Sequence, residues 1–194
     1  MSTAKRGKVR VEKGRYRLDG QFHFPYPNDP IRNEHGELMG VTNPRDLTHV
    51  HMYGGEAPFF EALSQGKLLG TRCDNSDCGA NGSIFIPFRI HCPVKNNIVD
   101  MTDTARKGAT VHTFMITERT GAFNTLPKPI RFVNVEFESV PTILMGYLSV
   151  GEPEIGMKVV PIFNTSKPSY TILDLSWVPE GTDESDIPKG FTFQ

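Results

Sequence analysis

Two runs of sequence decide how this chain is read: Gly70-Thr71-Arg72-Cys73-Asp74-Asn75-Ser76-Asp77-Cys78-Gly79, and Phe85-Ile86-Pro87-Phe88-Arg89-Ile90-His91-Cys92-Pro93. Together they hold all three cysteines of the 194 residues, spaced Cys-x4-Cys-x13-Cys. An odd, clustered count argues against a disulfide framework and for thiolates in a reducing compartment. Zinc favours four tetrahedral ligands and takes soft thiolates readily. Gly79 after Cys78 and Pro93 after Cys92 read as the turns of two metal-binding knuckles. Cys73, Cys78 and Cys92 are therefore the candidate zinc ligands. A four-cysteine site would have its last thiolate three residues past Cys92, and that position is Lys95, a poor ligand while protonated. Asp74, Asp77, His49 and His51 are the alternatives for the fourth position. His91 is disfavoured, since neighbouring strand residues point to opposite faces. Such a zinc is expected to be structural, because nothing in the sequence marks an open coordination position with a base beside it.

Outward from the cysteines the composition is that of a β protein. Val and Ile together number 26 against 18 for Leu and Ala, and Gly and Pro total 33. β-branched residues suit a pleated, half-buried surface, while Gly and Pro punctuate it with turns. One helix is predicted over residues 56–66. Pro58 sits early in it, Phe59, Phe60 and Leu63 form one apolar face, and Gly66 stands where the chain must leave the helix. Lys67 to Arg72 reads as a strand leading into the cysteines. Beyond residue 98, five strands are predicted: Ala109–Thr117, Ile130–Phe137, Thr142–Ser149, Met157–Phe163 and Tyr170–Trp177. Alternation is plainest in Arg131-Phe132-Val133-Asn134-Val135-Glu136-Phe137. Five strands in so short a stretch fit a small closed barrel of the OB type better than a seven-stranded sandwich.

The flanks differ in character. Residues 1–19 carry seven Lys/Arg against two acids, and Lys8–Leu18 alternates around Gly14, as in a short hairpin or a basic arm ordered by a partner. Residues 22–48, with Pro25, Pro27, Pro30 and Pro44, are expected to be irregular and extended over another surface. Residues 180–194 hold four acids and one Lys, then Phe191 and Phe193, as in a solvated tail with an aromatic anchor. The expected organisation is a basic, proline-rich extension (1–52), helix and ribbon (53–97), barrel (98–179) and acidic tail (180–194).

Charge excludes some functions. With 21 basic and 22 acidic residues the chain is near neutral, so no global field favours nucleic acid or a membrane surface. No window approaches the ~18 apolar residues of a membrane helix. The basic N-terminus, with no apolar stretch behind it, is not a secretory signal, and the expected location is the cytoplasm. No dinucleotide, P-loop, G-x-S-x-G or H-E-x-x-H pattern occurs. His112 in Val111-His112-Thr113-Phe114 reads as a surface group rather than an acid or base, and Trp177 as core. No catalytic residue is assigned.

Several of these residues also carry a resemblance. Phe59-Phe60-Glu61-Ala62-Leu63, Lys67-Leu68-Leu69-Gly70, Arg72-Cys73…Cys78-Gly79…Pro87-Phe88-Arg89…Cys92-Pro93, then Val111-His112-Thr113-Phe114 and Gly156-Met157-Lys158-Val159 resemble the rubredoxin-like zinc-ribbon plus OB-fold proteins that accompany thiolase-superfamily enzymes. The resemblance spans residues 53–179. It departs from the family in its Cys-x4-Cys first knuckle, its missing fourth cysteine and its long N-terminal extension. Members of that family include the small subunits of benzoylsuccinyl-CoA thiolase from anaerobic toluene degradation. Others serve acetoacetyl-CoA thiolase and hydroxymethylglutaryl-CoA synthase complexes, and thiolase-like aldolases. The resemblance implies a non-catalytic subunit of a hetero-oligomer, with structural zinc, whose partner cleaves a β-keto acyl-CoA thiolytically, coenzyme A thioester being the substrate of the complex. An aldolase or synthase partner is the alternative. A single-stranded nucleic-acid module is a third reading, disfavoured by the acids among the barrel strands. No residue is assigned to coenzyme A.

Overall fold

The computed structural model describes residues 8–19, 29–32, 38–42, 53–88, 95–118 and 126–193. The chain divides into two units, Met1–Met52 and Tyr53–Gln194.

In the first unit, β1 (Lys8–Glu12) and β2 (Arg15–Asp19) pair antiparallel. Lys13 and Gly14 both take positive φ (51° and 72°), the geometry of the two-residue turn whose twist matches its strands. A second hairpin joins β3 (Asp29–Arg32) to β4 (Leu38–Thr42). Here the expectation of an irregular 22–48 is corrected for Asp29–Arg32 and Leu38–Thr42, the rest of that stretch lying outside the described residues. Pro30 lies opposite Val41 in a ladder of only two strands, where a residue can turn its missing N–H away from its neighbour.

The second unit opens with a 3-10 turn, Gly54–Glu56, running into α1 (Ala57–Leu63). Pro58 occupies the first turn, where its missing donor costs nothing. Gly66, at φ 76°, lets the chain reverse, and Lys67 N–H donates back to Ala62 O (3.0 Å). The chain then enters β5 (Leu69–Cys73), which pairs antiparallel with β6 (Ile84–Phe85) on one side and β7 (Asn96–Asp100) on the other.

A second helix, α2 (Thr102–Gly108), was not expected. It is seven residues long and buries one side chain, Ala105, so it leaves no apolar period to read. Its start is set by Asp100, whose carboxylate accepts from Thr102 N–H (3.0 Å) and Thr102 Oγ1 (2.6 Å).

Two further antiparallel sheets follow. One has the order β10 (Leu144–Tyr147), β9 (Ile130–Phe137), β8 (Ala109–Thr117), and the other β12 (Leu175–Pro179), β11 (Val159–Asn164), β13 (Phe191–Thr192). Isolated bridges join Thr110 to Lys158 and Leu148 to Trp177. Residues 180–193 include a 3-10 turn, Glu184–Asp186, and then β13, which adds to β11. β12 starts later than the expected Tyr170 because the stretch before it wraps the buried carboxylate of Asp174. That carboxylate accepts from Ser169 N–H (2.7 Å), Ser169 Oγ (2.9 Å) and Tyr170 N–H (2.7 Å).

The described chain is thus mostly β, with two short α-helices and small antiparallel sheets. One apolar core runs through the second unit, from Phe59, Leu63 and Leu68 through Ile86 and Phe88 to Val133, Val135, Phe163 and Trp177. No described helix is long and apolar enough to cross a membrane.

Candidate functional site

The cysteine turn is built from the backbone outward. Cys73 ends β5, and the ten residues after it fold into successive tight turns. Cys78 N–H donates to Asn75 O (3.1 Å), Asn81 N–H to Cys78 O (2.9 Å) and Gly82 N–H to Cys73 O (2.7 Å), while Cys73 N–H donates to Ser83 O (3.0 Å). Cys73 is buried with Phe85, and Cys78 and Ala80 pack against that pair. Both cysteines are thiols rather than disulfides. Two soft side chains on one small apolar cluster suit half of a tetrahedral thiolate site. Cys92 and the alternatives His49, His51 and His91 lie outside the described residues. Among the described residues no three of His, Cys, Asp and Glu gather closely enough to hold an ion.

The two acidic alternatives fare differently. Asp74 is engaged elsewhere: it accepts from Arg72 Nε (2.8 Å) and from Asn97 Nδ2 on β7. The hydrogen bond from Arg72, aided by Asn97, holds its carboxyl below the usual carboxylate range. Asp77 is exposed and uses its own N–H to close a turn onto Asn75 Oδ1 (3.1 Å).

Beside the core lies an apolar groove of about 330 Å³ that includes Phe60, Phe88, Ile143, Met145 and Ile172. The sequence places Phe59 and Phe60 on one apolar face of α1, and the structure divides it. Phe59 is 2% exposed and belongs to the chain's own core, so it is not a partner contact. Phe60 is half-buried, stacks on Tyr53 with ring centroids 3.9 Å apart, and lines the groove. Ile143, just before β10, and Met145 within it had no signal as groove residues, since the residues that alternate with them, Leu144 and Gly146, are buried.

A smaller cavity of about 190 Å³ lies between the start of β9, the end of β10 and the C-terminal stretch, lined in part by Arg131, Tyr147, Ser149 and Phe191. Arg131 Nε donates to Glu152 Oε1 (3.0 Å), and this hydrogen bond lowers the Glu152 pKa. The cation there is already matched. His112 Nδ1 lies 2.8 Å from Glu136 Oε2, whose other oxygen accepts from Thr110 Oγ1 (3.2 Å). Both His112 and Glu136 are about half exposed, as expected of a surface pair. Trp177 is fully buried in the core, also as expected.

No protein-family model and no curated protein matches this sequence. Solved structures do. A protein of unknown function from the DUF35 family of Sulfolobus solfataricus is 27% identical, over 63% of this chain and 83% of that one, with a TM-score of 0.43. A chain of the Ltp2-ChsH2(DUF35) aldolase is 21% identical, over 68% of this chain and 98% of that one, with a TM-score of 0.50. Its near-complete coverage means that this chain shares its fold with that chain of the Ltp2-ChsH2(DUF35) aldolase.

Proposed function

We propose that this chain is a DUF35-type accessory subunit that binds a catalytic chain of the thiolase superfamily and supports its acyl-CoA pocket without supplying catalytic groups. The observation that carries this reading is the fold shared with a chain of an aldolase complex, matched over nearly all of that chain. The groove around Phe60, Ile143 and Met145 supports it, being apolar and open where a partner side chain could enter. The two bridges, Thr110 to Lys158 and Leu148 to Trp177, support reading β8 to β12 as one five-stranded barrel in the cyclic order β8-β9-β10-β12-β11. In this reading β5, β6 and the cysteine turn are the ribbon. Zinc is held by Cys73, Cys78 and Cys92 and supplies cross-linking of the turn, with no part in bond-making.

The reaction proposed for the complex is thiolytic cleavage of a β-keto acyl-CoA such as 2-benzoylsuccinyl-CoA. The thiol of a second coenzyme A forms a new thioester as the carbon–carbon bond breaks. A retro-aldol partner is the second reading, favoured by the structural neighbour's being a chain of an aldolase. Free coenzyme A separates the two, since thiolysis consumes it and retro-aldol cleavage does not. The test is to express the chain with and without the thiolase-superfamily protein that co-purifies with it. Activity is expected only in the complex. Full activity of this chain alone, or failure to retain any such partner, would overturn the proposal.

A further inference from the structure

The apolar groove beside the core is held firmly on its inside and left unmatched at its mouth. Four stretches of chain wall it: α1 through Phe60, the segment after β6 through Phe88, β10 through Met145, and the 3-10 turn Ile172–Asp174 through Ile172. Side-chain hydrogen bonds pin these stretches to one another. Tyr53, stacked on Phe60, donates its hydroxyl to Tyr170 O (2.8 Å), just before the turn that carries Ile172. Tyr147 on β10 donates to Leu173 O (3.0 Å) within that turn. Thr142 accepts from Ile86 N–H (2.9 Å), fixing the chain just past β6 to the entry of β10. The groove is thus preformed, and little ordering of its walls opposes a partner that enters.

At the mouth Met145 is 62% exposed and Ile143 41%. A small molecule lying within the groove would leave much of both side chains in water. The surface of a second protein covers groove and rim together. Among the described residues that line the groove, Glu56 alone is charged. It is exposed, stands at the N-cap of α1, and makes no capping hydrogen bond with its side chain. Among the described residues its carboxylate has no hydrogen bond or ion pair. Acids elsewhere on this unit are matched, Glu152 by Arg131 and Glu136 by His112.

A free carboxylate on the lip of an apolar groove defines its complement: a large apolar side chain with a cation beside it. Arg and Lys fit that lip, because their stems lie along apolar surface while the charged head reaches the carboxylate. From this we infer that the groove receives a basic amphipathic segment of the catalytic chain. That segment seats an apolar side chain against Phe60 and Met145 and sets an Arg or Lys head against Glu56. The inference rests on the accessory-subunit reading and goes beyond it by naming the chemistry of the segment that docks.

The test measures binding of the co-purifying catalytic chain to this full chain. Glu56→Lys sets cation against cation and is expected to raise the dissociation constant at least ~10-fold, with Glu56→Gln giving a smaller loss. Both variants should keep the wild-type melting temperature, since the side chain they replace is exposed and makes no capping hydrogen bond. Association of the wild type should slow as salt rises from ~50 to ~500 mM, and Glu56→Gln should flatten that dependence. The sign of a charge placed at Met145 gives a second arm. Met145→Arg is expected to weaken binding more than Met145→Glu, because both remove the same apolar contact but the acid offers the incoming cation a further partner. Glu184→Lys makes the same charge change at an exposed residue that does not line the groove, and should leave the dissociation constant within ~2-fold of wild type.

Normal binding by Glu56→Lys would overturn the inference and leave the accessory-subunit reading standing. Equal losses with Met145→Arg and Met145→Glu would do the same. A dimer of the isolated chain that Glu56→Lys dissolves would make a second copy the occupant and overturn it too. Failure to retain any catalytic chain would remove both the inference and the reading beneath it.

Discussion

Two single residues hold the second unit in shape by different physics. Asp174 is fully buried and is satisfied by two backbone N–H groups and two side-chain donors: Ser169 N–H and Oγ, Tyr170 N–H, and Asn164 Nδ2 at 3.4 Å. This cage holds Tyr170 in the left-handed region, at φ 55°, which a bulky residue otherwise avoids. Asp174→Ala orphans those donors and is expected to cost about 3 kcal/mol or more in urea unfolding, with Asp174→Asn costing less. Gly146 works by having no side chain. A Cβ there would stand 2.8 Å from Trp177 Nε1 and 3.0 Å from its Cδ1, and Trp177 is 0% exposed, with nowhere to go. Gly146→Ala is expected to destabilise by about 1–3 kcal/mol. Gly108→Ala meets nothing nearer than 3.9 Å at the end of α2 and should be neutral or stabilising by up to ~1 kcal/mol in the same assay.

At the scale of elements, β10 carries a reporter of its own packing. Tyr147 donates its hydroxyl proton to Leu173 O (3.0 Å), and burial pushes its pKa from 10.0 to about 12. The folded state therefore keeps a proton that the unfolded chain releases. Stability is fully present below pH ~10 and falls as pH rises toward 12, by about 2–3 kcal/mol for this group. Absorbance at alkaline pH should show one of the five tyrosines ionising late, and Tyr147→Phe should remove that phase. The cysteine turn is the second element with a reporter. About one zinc per chain is expected by metal analysis, and Cys78→Ser should release it and loosen the β5–β6–β7 sheet. A folded, metal-free wild-type chain would remove zinc from the proposal and leave the fold untouched.

At the scale of the whole molecule, a single core ties α1 and the segment after β6 to the strands of both larger sheets. Thr142 is one fastener: its hydroxyl accepts from Ile86 N–H (2.9 Å) and donates to Ile86 O (2.8 Å), tying the end of β6 to the entry of β10. The groove beside that junction is where a partner chain is proposed to sit. A bulky charge there, such as Met145→Arg (Met145 is 62% exposed), should leave unfolding unchanged and release the co-purifying catalytic chain. Retention of the partner would move the interface elsewhere.

Much of this was legible in the sequence, for stated reasons. β8 and β9 follow the expected Ala109–Thr117 and Ile130–Phe137, and in β9 the period-two alternation is a direct image of a sheet with one buried face. α1 follows from Pro58 and Gly66, whose backbone constraints act locally. The clustering of Cys73 and Cys78 was likewise readable from spacing. What the sequence could not decide depended on distant partners. Phe59 and Phe60 are chemically alike neighbours, and only packing assigns one to the core and the other to a groove. Asp174 looks like any surface acid until the turn before β12 closes around it. The β3–β4 hairpin and α2 lack the periodic signal on which local reading rests. Local backbone preference and hydrophobic period are written in the order of residues. Which surface each residue ends up facing is settled when segments far apart in the chain come together.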